Sequence, residues 1–269
     1  MDASVIPISN QQLAFSVLLV VTTGAVSAAL QLGLLRPLLV GTVRTFLQLT
    51  LIGYALAFIF QWNNPWFILL LTGLMTAVAT RTATRRVGGT KTPHVVTFLS
   101  LFASSLLVSL MVVGLIIRPD PWYDARVAIP IFGMILGNAM NGAALVLQTL
   151  FGAVRARAHE VDGLLAFGAT PWEAIREPVR EAVRAGMTPT INAMMVVGVV
   201  SLPGMMTGQI LGGVDPRVAV RYQIVVMLML SAAVALACLL LVLVVYRRMF
   251  TADGALAPDW RKSQLAQRG

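Results

Sequence analysis

Charge is scarce in this sequence, and cysteine and histidine are scarcer still. Asp, Glu, Lys and Arg make up 12% of the 269 residues, about half the share usual in soluble domains. Cys238 is the single cysteine, which excludes an intrachain disulfide framework and a cysteine-based metal site. His94 and His159 are the two histidines; each stands beside a basic loop segment, and their spacing supports no metal site. No G-x-x-x-x-G-K-[ST] string occurs, which excludes ATP hydrolysis by that route. The long apolar runs hold no Asp, Glu or His, so the usual proton relay of an ion-coupled carrier is missing. They hold no serine-hydrolase or metalloprotease motif either. We therefore expect no catalytic residue, no resident metal and no bound cofactor, and the chain does not read as an enzyme.

What is present is apolar. Hydrophobic residues form 58% of the chain, more than a soluble fold of this length can cover, so a bilayer serves as solvent. Crossing the hydrocarbon core takes about 20 apolar residues. Backbone groups in lipid must be paired within their own segment, so such runs are helices. Seven are expected, over 11–31, 38–60, 65–80, 95–117, 127–150, 188–211 and 219–246. The third is short and carries Thr72, Thr76 and Thr80, which leaves its ends the least defined. The N-terminus has no basic n-region, Asp2 is acidic, and the first run is too long for a signal-peptide core, so it reads as a retained span. The expected fold is one all-α polytopic membrane bundle over 1–269.

The formal charge of +9 does not point to nucleic acid, because the basic residues gather in short loops between apolar runs. Arg81, Arg85, Arg86 and Lys91 stand in 81–94. Arg155, Arg157, Arg176, Arg180 and Arg184 stand in 152–187, and Arg247 and Arg248 follow the last run. These regions are expected to be cytoplasmic, with Arg36 and Arg44 fitting the same side. The nearly neutral loops 61–65, 118–126 and 212–217 then face outward, with Trp62, Trp66, Trp122 and Tyr123 at the outer span ends. The N-terminus is expected outside and the C-terminus in the cytoplasm.

The segment 152–187 is too polar to span and too long for a turn. Val161, Leu164 and Leu165, then Trp172, Ile175 and Val179, recur at helical spacing on either side of Gly168-Ala169-Thr170-Pro171. Two short amphipathic helices are expected. Thr170 caps the second, Pro171 takes its first position, and Glu173 stands three residues after the cap. Such a pair either anchors the loop at the interface or offers a knob to a partner.

The wording of this segment, GATPWEAI followed by Pro178 and GMTP at 186–189, resembles the EAA-type cytoplasmic loop of ABC transporter permeases. The Glu-Ala-Ala positions are held by Asp162, Gly163 and Leu164, so only the acid is kept in kind. The strings IFGMILGNAMNG (131–142) and SLPGMMTGQILGG (201–213) look like the two signature stretches of the FetB (YbbM) family, and length and layout are similar. The resemblance implies a permease subunit in the bacterial inner membrane, working as a homodimer with a FetA-like ABC ATPase subunit that binds ATP and Mg. It implies iron export in bacterial members and a link to aluminium tolerance in plant ones. It further implies docking of the ATPase at Asp162, Leu165, Gly168, Ala169, Thr170, Pro171 and Trp172. An ATPase-independent channel or secondary transporter for a metal or small solute is the alternative.

Candidate path residues come from two runs. At about 100° per residue, Asn138, Asn141, Gln148 and Met134 share one arc of the fifth. Amides on a spanning helix serve either as helix-to-helix glue or as the lining of a path. In the sixth, Pro203 removes a backbone donor, making Pro203 and Gly204 a candidate hinge. Met205, Met206, Thr207 and Gln209 beside it are candidate path residues, because broken spans are where transporters often bind cargo. The Gly133/Gly137 pair and Gly204, Gly208 and Gly212 permit close helix approach.

Overall fold

A computed structural model describes residues 8–62, 64–85 and 93–261; Asp2, Arg86 and Lys91 lie outside the described residues. Among those described, helices dominate and no β-strand forms beyond two isolated bridges. The first span is built from α1 (Asn10–Phe15) and α2 (Val17–Ala29), opened by a Ser9/Gln12 capping box. Then come α3 (Leu35–Trp62), α4 (Pro65–Arg85) and α5 (His94–Met111), which a π-helical turn extends to Ile117. Helix α6 (Ala125–Ala156) starts where the Asp124 side chain accepts from the Arg126 N–H. At 32 residues and about 1.5 Å each it outreaches the hydrocarbon core. Its far end carries α7 (Ala158–Ala166), α8 (Pro171–Ala174) and α9 (Arg176–Val196). Next are α10 (Gly204–Leu211) and α11 (Pro216–Val245), the latter capped by Asp215 and followed by a 3-10 turn at Tyr246–Met249. The described chain closes with α12 (Pro258–Arg261).

Six described helical stretches are long and apolar enough to cross a membrane: Asn10–Ala29, Leu35–Trp62, Pro65–Arg85, His94–Ile117, Ala125–Ala156 and Pro216–Met249. The span expected over 188–211, with its kink or break at Pro203, is the one that differs. It is the apolar end of α9, an interruption over 197–203, and the eight-residue α10. Gly198 explains the interruption, since its φ of +83° is a left-handed conformation that ends a helix. Its N–H turns back to the Ser201 carbonyl at 2.9 Å. The third span runs five residues beyond its expected end, to Arg85.

The bundle is apolar outside, and hydroxyl residues line the packing faces of α4 and α5 inside it. Thr72, Thr76, Thr80 and Thr84, one turn apart on α4, are all buried, as are Thr97, Ser100, Ser104, Ser105 and Ser109 on α5. Small hydroxyl residues let helices approach closely where lipid gives no hydrophobic drive to associate. Several bond back to their own helix, with Thr76 Oγ1 donating to Thr72 O at 2.8 Å and Thr84 Oγ1 to Thr80 O at 2.8 Å. The threonines that blur the third span in the sequence are thus its packing face. Leu70, Leu74 and Val78 of the same helix are exposed. Helices α5, α6 and α11 enclose Phe132, Ile135, Leu147, Leu150 and Leu241. Ser27 is the one buried residue on α2, and α3 has none.

Candidate functional site

The tightest point of the bundle lies where α6, α9 and α11 cross. A Cβ at Gly186 would come within 2.6 Å of Val146 Cγ2, 2.9 Å of the Gly142 carbonyl and 2.9 Å of Cys238 Sγ. A Cβ at Gly142 would meet Val234 Cγ1 at 2.8 Å and the Gly186 carbonyl at 3.2 Å. Only glycine fits either position. The expected glycine contacts are elsewhere and looser. Gly137, Gly204 and Gly208 would meet nothing within 4 Å, Gly133 would meet only the tip of Met75 at 3.2 Å, and Gly212 would meet only carbonyls of its own turn.

On one side of this crossing opens a cavity of about 310 Å³. Asn138 and Asn141 from α6, Thr190 from α9, and Ser201 and Pro203 from the interruption line it, with Gly142 and Gly186 at its base. The amide stripe read from the sequence is therefore split. Asn138 and Asn141 come together here, Asn138 Nδ2 donating to Met134 O at 2.9 Å. Gln148, two turns on, is exposed away from the cavity, and Met134 packs against an apolar cluster with Val226 and Met229. The residues missed, Thr190 and Ser201, sit in the run read as a span that breaks at Pro203. Their only signal was polarity, and helix spacing could not connect them across a broken helix.

The candidates around Pro203 also separate. Pro203, with an extended backbone (φ −66°, ψ 148°), caps α10, and Gly204 is that helix's first residue. The chain reversal comes earlier, at Gly198, so the expected hinge lies at the end of the interruption rather than at its turn. Thr207 Oγ1 donates to Pro203 O at 3.1 Å. Met205 packs on the cluster that holds Met229, Met206 lines a second cavity, and Gln209 Oε1 is buried without a hydrogen-bond partner.

On the other side of the crossing is an elbow made by α7 and α8. The capping box at Thr170 forms as expected: Thr170 Oγ1 accepts from the Glu173 N–H, and the Glu173 carboxylate accepts from the Thr170 N–H at 2.8 Å. Hydrogen bonds from the Thr170 hydroxyl and backbone hold the Glu173 carboxyl below its ordinary range, helped by Arg176. Gly168 turns the chain with φ +91°. Val161, Ala174, Ile175 and Val179 bury inward, with Leu165 packed against them. The second amphipathic helix differs from expectation. It ends after Ala174, and α9 begins at Arg176 and runs unbroken into the apolar region. Trp172, read as part of the docking knob, lies edge-on to Tyr246 with centroids 5.1 Å apart. The projecting apolar side chain is Phe167, 94% exposed. Asp162, Leu165, Ala169 and Pro171 face Asp253 and Gly254 of the C-terminal turn across a groove of about 530 Å³.

That turn was not legible beforehand. Phe250 and Leu256 form an isolated antiparallel bridge, and the Ala257 N–H donates to Met249 O at 2.9 Å. Met249, Leu256 and Trp260 are buried. Trp260 closes on α6, its ring 4.8 Å from Phe151 and beneath the Arg155 guanidinium at 5.3 Å.

With this geometry in place, residues 10–250 match the family described as "Uncharacterised protein family (UPF0014)". The chain belongs to that family. UPF0014 membrane protein slr1647 of Synechocystis sp. is 41% identical over 231 residues, 84% of this chain and 89% of its own. The Escherichia coli "Probable iron export permease protein FetB" is 31% identical over 243 residues, covering 90% of this chain and 93% of that one. "Protein ALUMINUM SENSITIVE 3" of Arabidopsis thaliana is 37% identical over 190 residues, 71% of this chain and 68% of its own length. No solved structure matches. UPF0014 membership and the apolar helices make this a multi-pass membrane protein, and the resemblance read from the two signature strings holds. The turn and α12 beyond Phe250 lie outside the stretch matched to UPF0014.

Proposed function

We propose that this chain is the permease subunit of an ABC transporter that exports a metal ion, iron by analogy with the E. coli relative, across the bacterial inner membrane. Two copies form the pathway, and a separate FetA-like ATPase subunit binds ATP and Mg and hydrolyses ATP. The permease itself does no catalysis. The observation that carries this reading is α9. One helix runs from the elbow to the wall of the amide cavity and is pinned midway at the Gly142/Gly186 crossing. A push on α7 and α8 then tilts α9 about that pivot and changes the cavity around Asn138, Asn141 and Thr190. This is a shift between two states of a packed bundle.

The test is co-purification together with metal accumulation. A stoichiometric ATPase is expected to come down with the tagged permease. Cells lacking the permease are expected to accumulate more iron, and overproduction to reverse this only with the ATPase present. Flux through the purified permease in liposomes without any ATPase would replace this reading with the channel or secondary transporter.

A further inference from the structure

The interruption between α9 and α10 has a second side. There a cavity of about 370 Å³ is lined by Met194 from α9, Met206 from α10, and Gln223 and Met227 from α11, the remaining lining being apolar apart from Gly198. Met227 also lines the amide cavity, so the two are neighbours across the interruption. Gln223 is 5% exposed, and its Oε1 has no hydrogen-bond partner. An amide oxygen buried in an apolar bundle without a partner is costly and calls for an explanation. What this cavity lacks is an electron-pair acceptor. Three thioether sulfurs from three separate helices and one orphan oxygen all offer lone pairs.

We propose that this cavity binds one soft monovalent cation, Cu(I) or its analogue Ag(I), through Met194, Met206 and Met227 Sδ with Gln223 Oε1 as the fourth donor. Thioethers are weak hydrogen-bond acceptors, so water gains little there, but they are good ligands for soft ions. Methionine side chains are flexible, which suits them to closing on an ion. No carboxylate lines the cavity, and hard divalent ions that need oxygen ligands are disfavoured. The proposal goes beyond the permease reading, since binding requires neither an ATPase nor transport.

The test uses the full chain in lipid nanodiscs, without ATPase. Ag(I) binding is followed by titration calorimetry, and Cu(I) binding by competition with a chromophoric chelator under reducing conditions. One ion per chain is expected. The near-isosteric Met206→Leu and Met227→Leu changes and Gln223→Leu are each expected to weaken binding by about tenfold or more. Met195→Leu, at a 70% exposed position, and Cys238→Ser, at the buried thiol outside this cavity, are expected to leave it unchanged. Absence of saturable binding overturns the proposal, as does indifference to the three cavity variants. Loss of binding in Cys238→Ser, or equal competition by Fe(II) or Mn(II), overturns it too. A failure of iron accumulation to respond to the permease would sink the transporter reading and leave this result standing.

Discussion

Two glycines fix the geometry on which the rest depends. An alanine at Gly186 places its Cβ against a backbone carbonyl and the Cys238 sulfur, and neither gives way as a flexible side chain does. Overpacking of this kind costs about 1–3 kcal/mol. Gly186→Ala is therefore expected to lower the unfolding temperature in detergent, whereas Gly204→Ala, with nothing within 4 Å, leaves it unchanged. Equal stability of the two variants would dissolve the crossing. The sequence pointed to other glycines because spacing along one helix is readable, while a meeting of residues 142 and 186 is not. The Thr170/Glu173 box was legible for the converse reason: its partners lie three residues apart. Since the folded carboxyl titrates below its ordinary value of 4.5, the cap is fully present above that value and is lost as pH falls through the lower folded one. Protection from hydrogen exchange of the Thr170 amide, which donates to the Glu173 carboxylate, is expected to hold from pH 7 to that value and to fall below it. Protection already lost at neutral pH would show that the box does not form.

At the level of elements, the polar loop and the sixth span of the sequence reading prove to be one lever with a broken end. Charge pattern split α9 because Arg176, Arg180 and Arg184 ride on its first turns and none on its last. A change of solvent was taken for a change of element. The amide cavity was half legible: Asn138 and Asn141 sit on one continuous helix, while Thr190 and Ser201 reach it across the interruption that Gly198 creates. Asn138→Leu with Asn141→Leu is expected to abolish most transport while membrane yield stays unchanged, measured as metal efflux from loaded cells. Normal efflux would leave the amides as packing. The C-terminal turn braces the same lever. An aromatic pair such as Phe151 and Trp260 is worth about 0.5–1.5 kcal/mol beyond its buried area. Trp260→Ala is thus expected to speed hydrogen exchange across α7 and α8 by roughly tenfold, since about 1.4 kcal/mol is a factor of ten. Trp260→Phe restores most of the protection. No change in the alanine variant would mean that the elbow stands without its brace.

For the whole molecule, orientation is the physical choice on which elbow, lever and cavity acquire meaning, and it is decided by Lys and Arg near the span ends rather than by net charge. The end of the bundle that carries the elbow holds Arg81, Arg85, Arg155, Arg157, Arg176, Arg180, Arg184, Arg247 and Arg248. The opposite end holds Arg118, Arg126, Arg217 and Arg221, set among Asp120, Asp124 and Asp215. On this rule the first group is expected to face the cytoplasm. The salt bridges within it, Arg157–Glu181 at 3.2 Å and Arg180–Glu177 at 2.9 Å, are exposed and add little stability, so these arginines are better explained by topology than by folding. Phe167 at the tip of the elbow gives the test. Phe167→Cys in a Cys238→Ser background places a single thiol at a 94% exposed position. A membrane-impermeant maleimide is expected to label it only after the cells are opened, while a thiol placed at Trp122, 59% exposed at the other end, reacts in intact cells. Labelling of the elbow from outside would turn the bundle over, and with it the side from which the proposed ATPase would push.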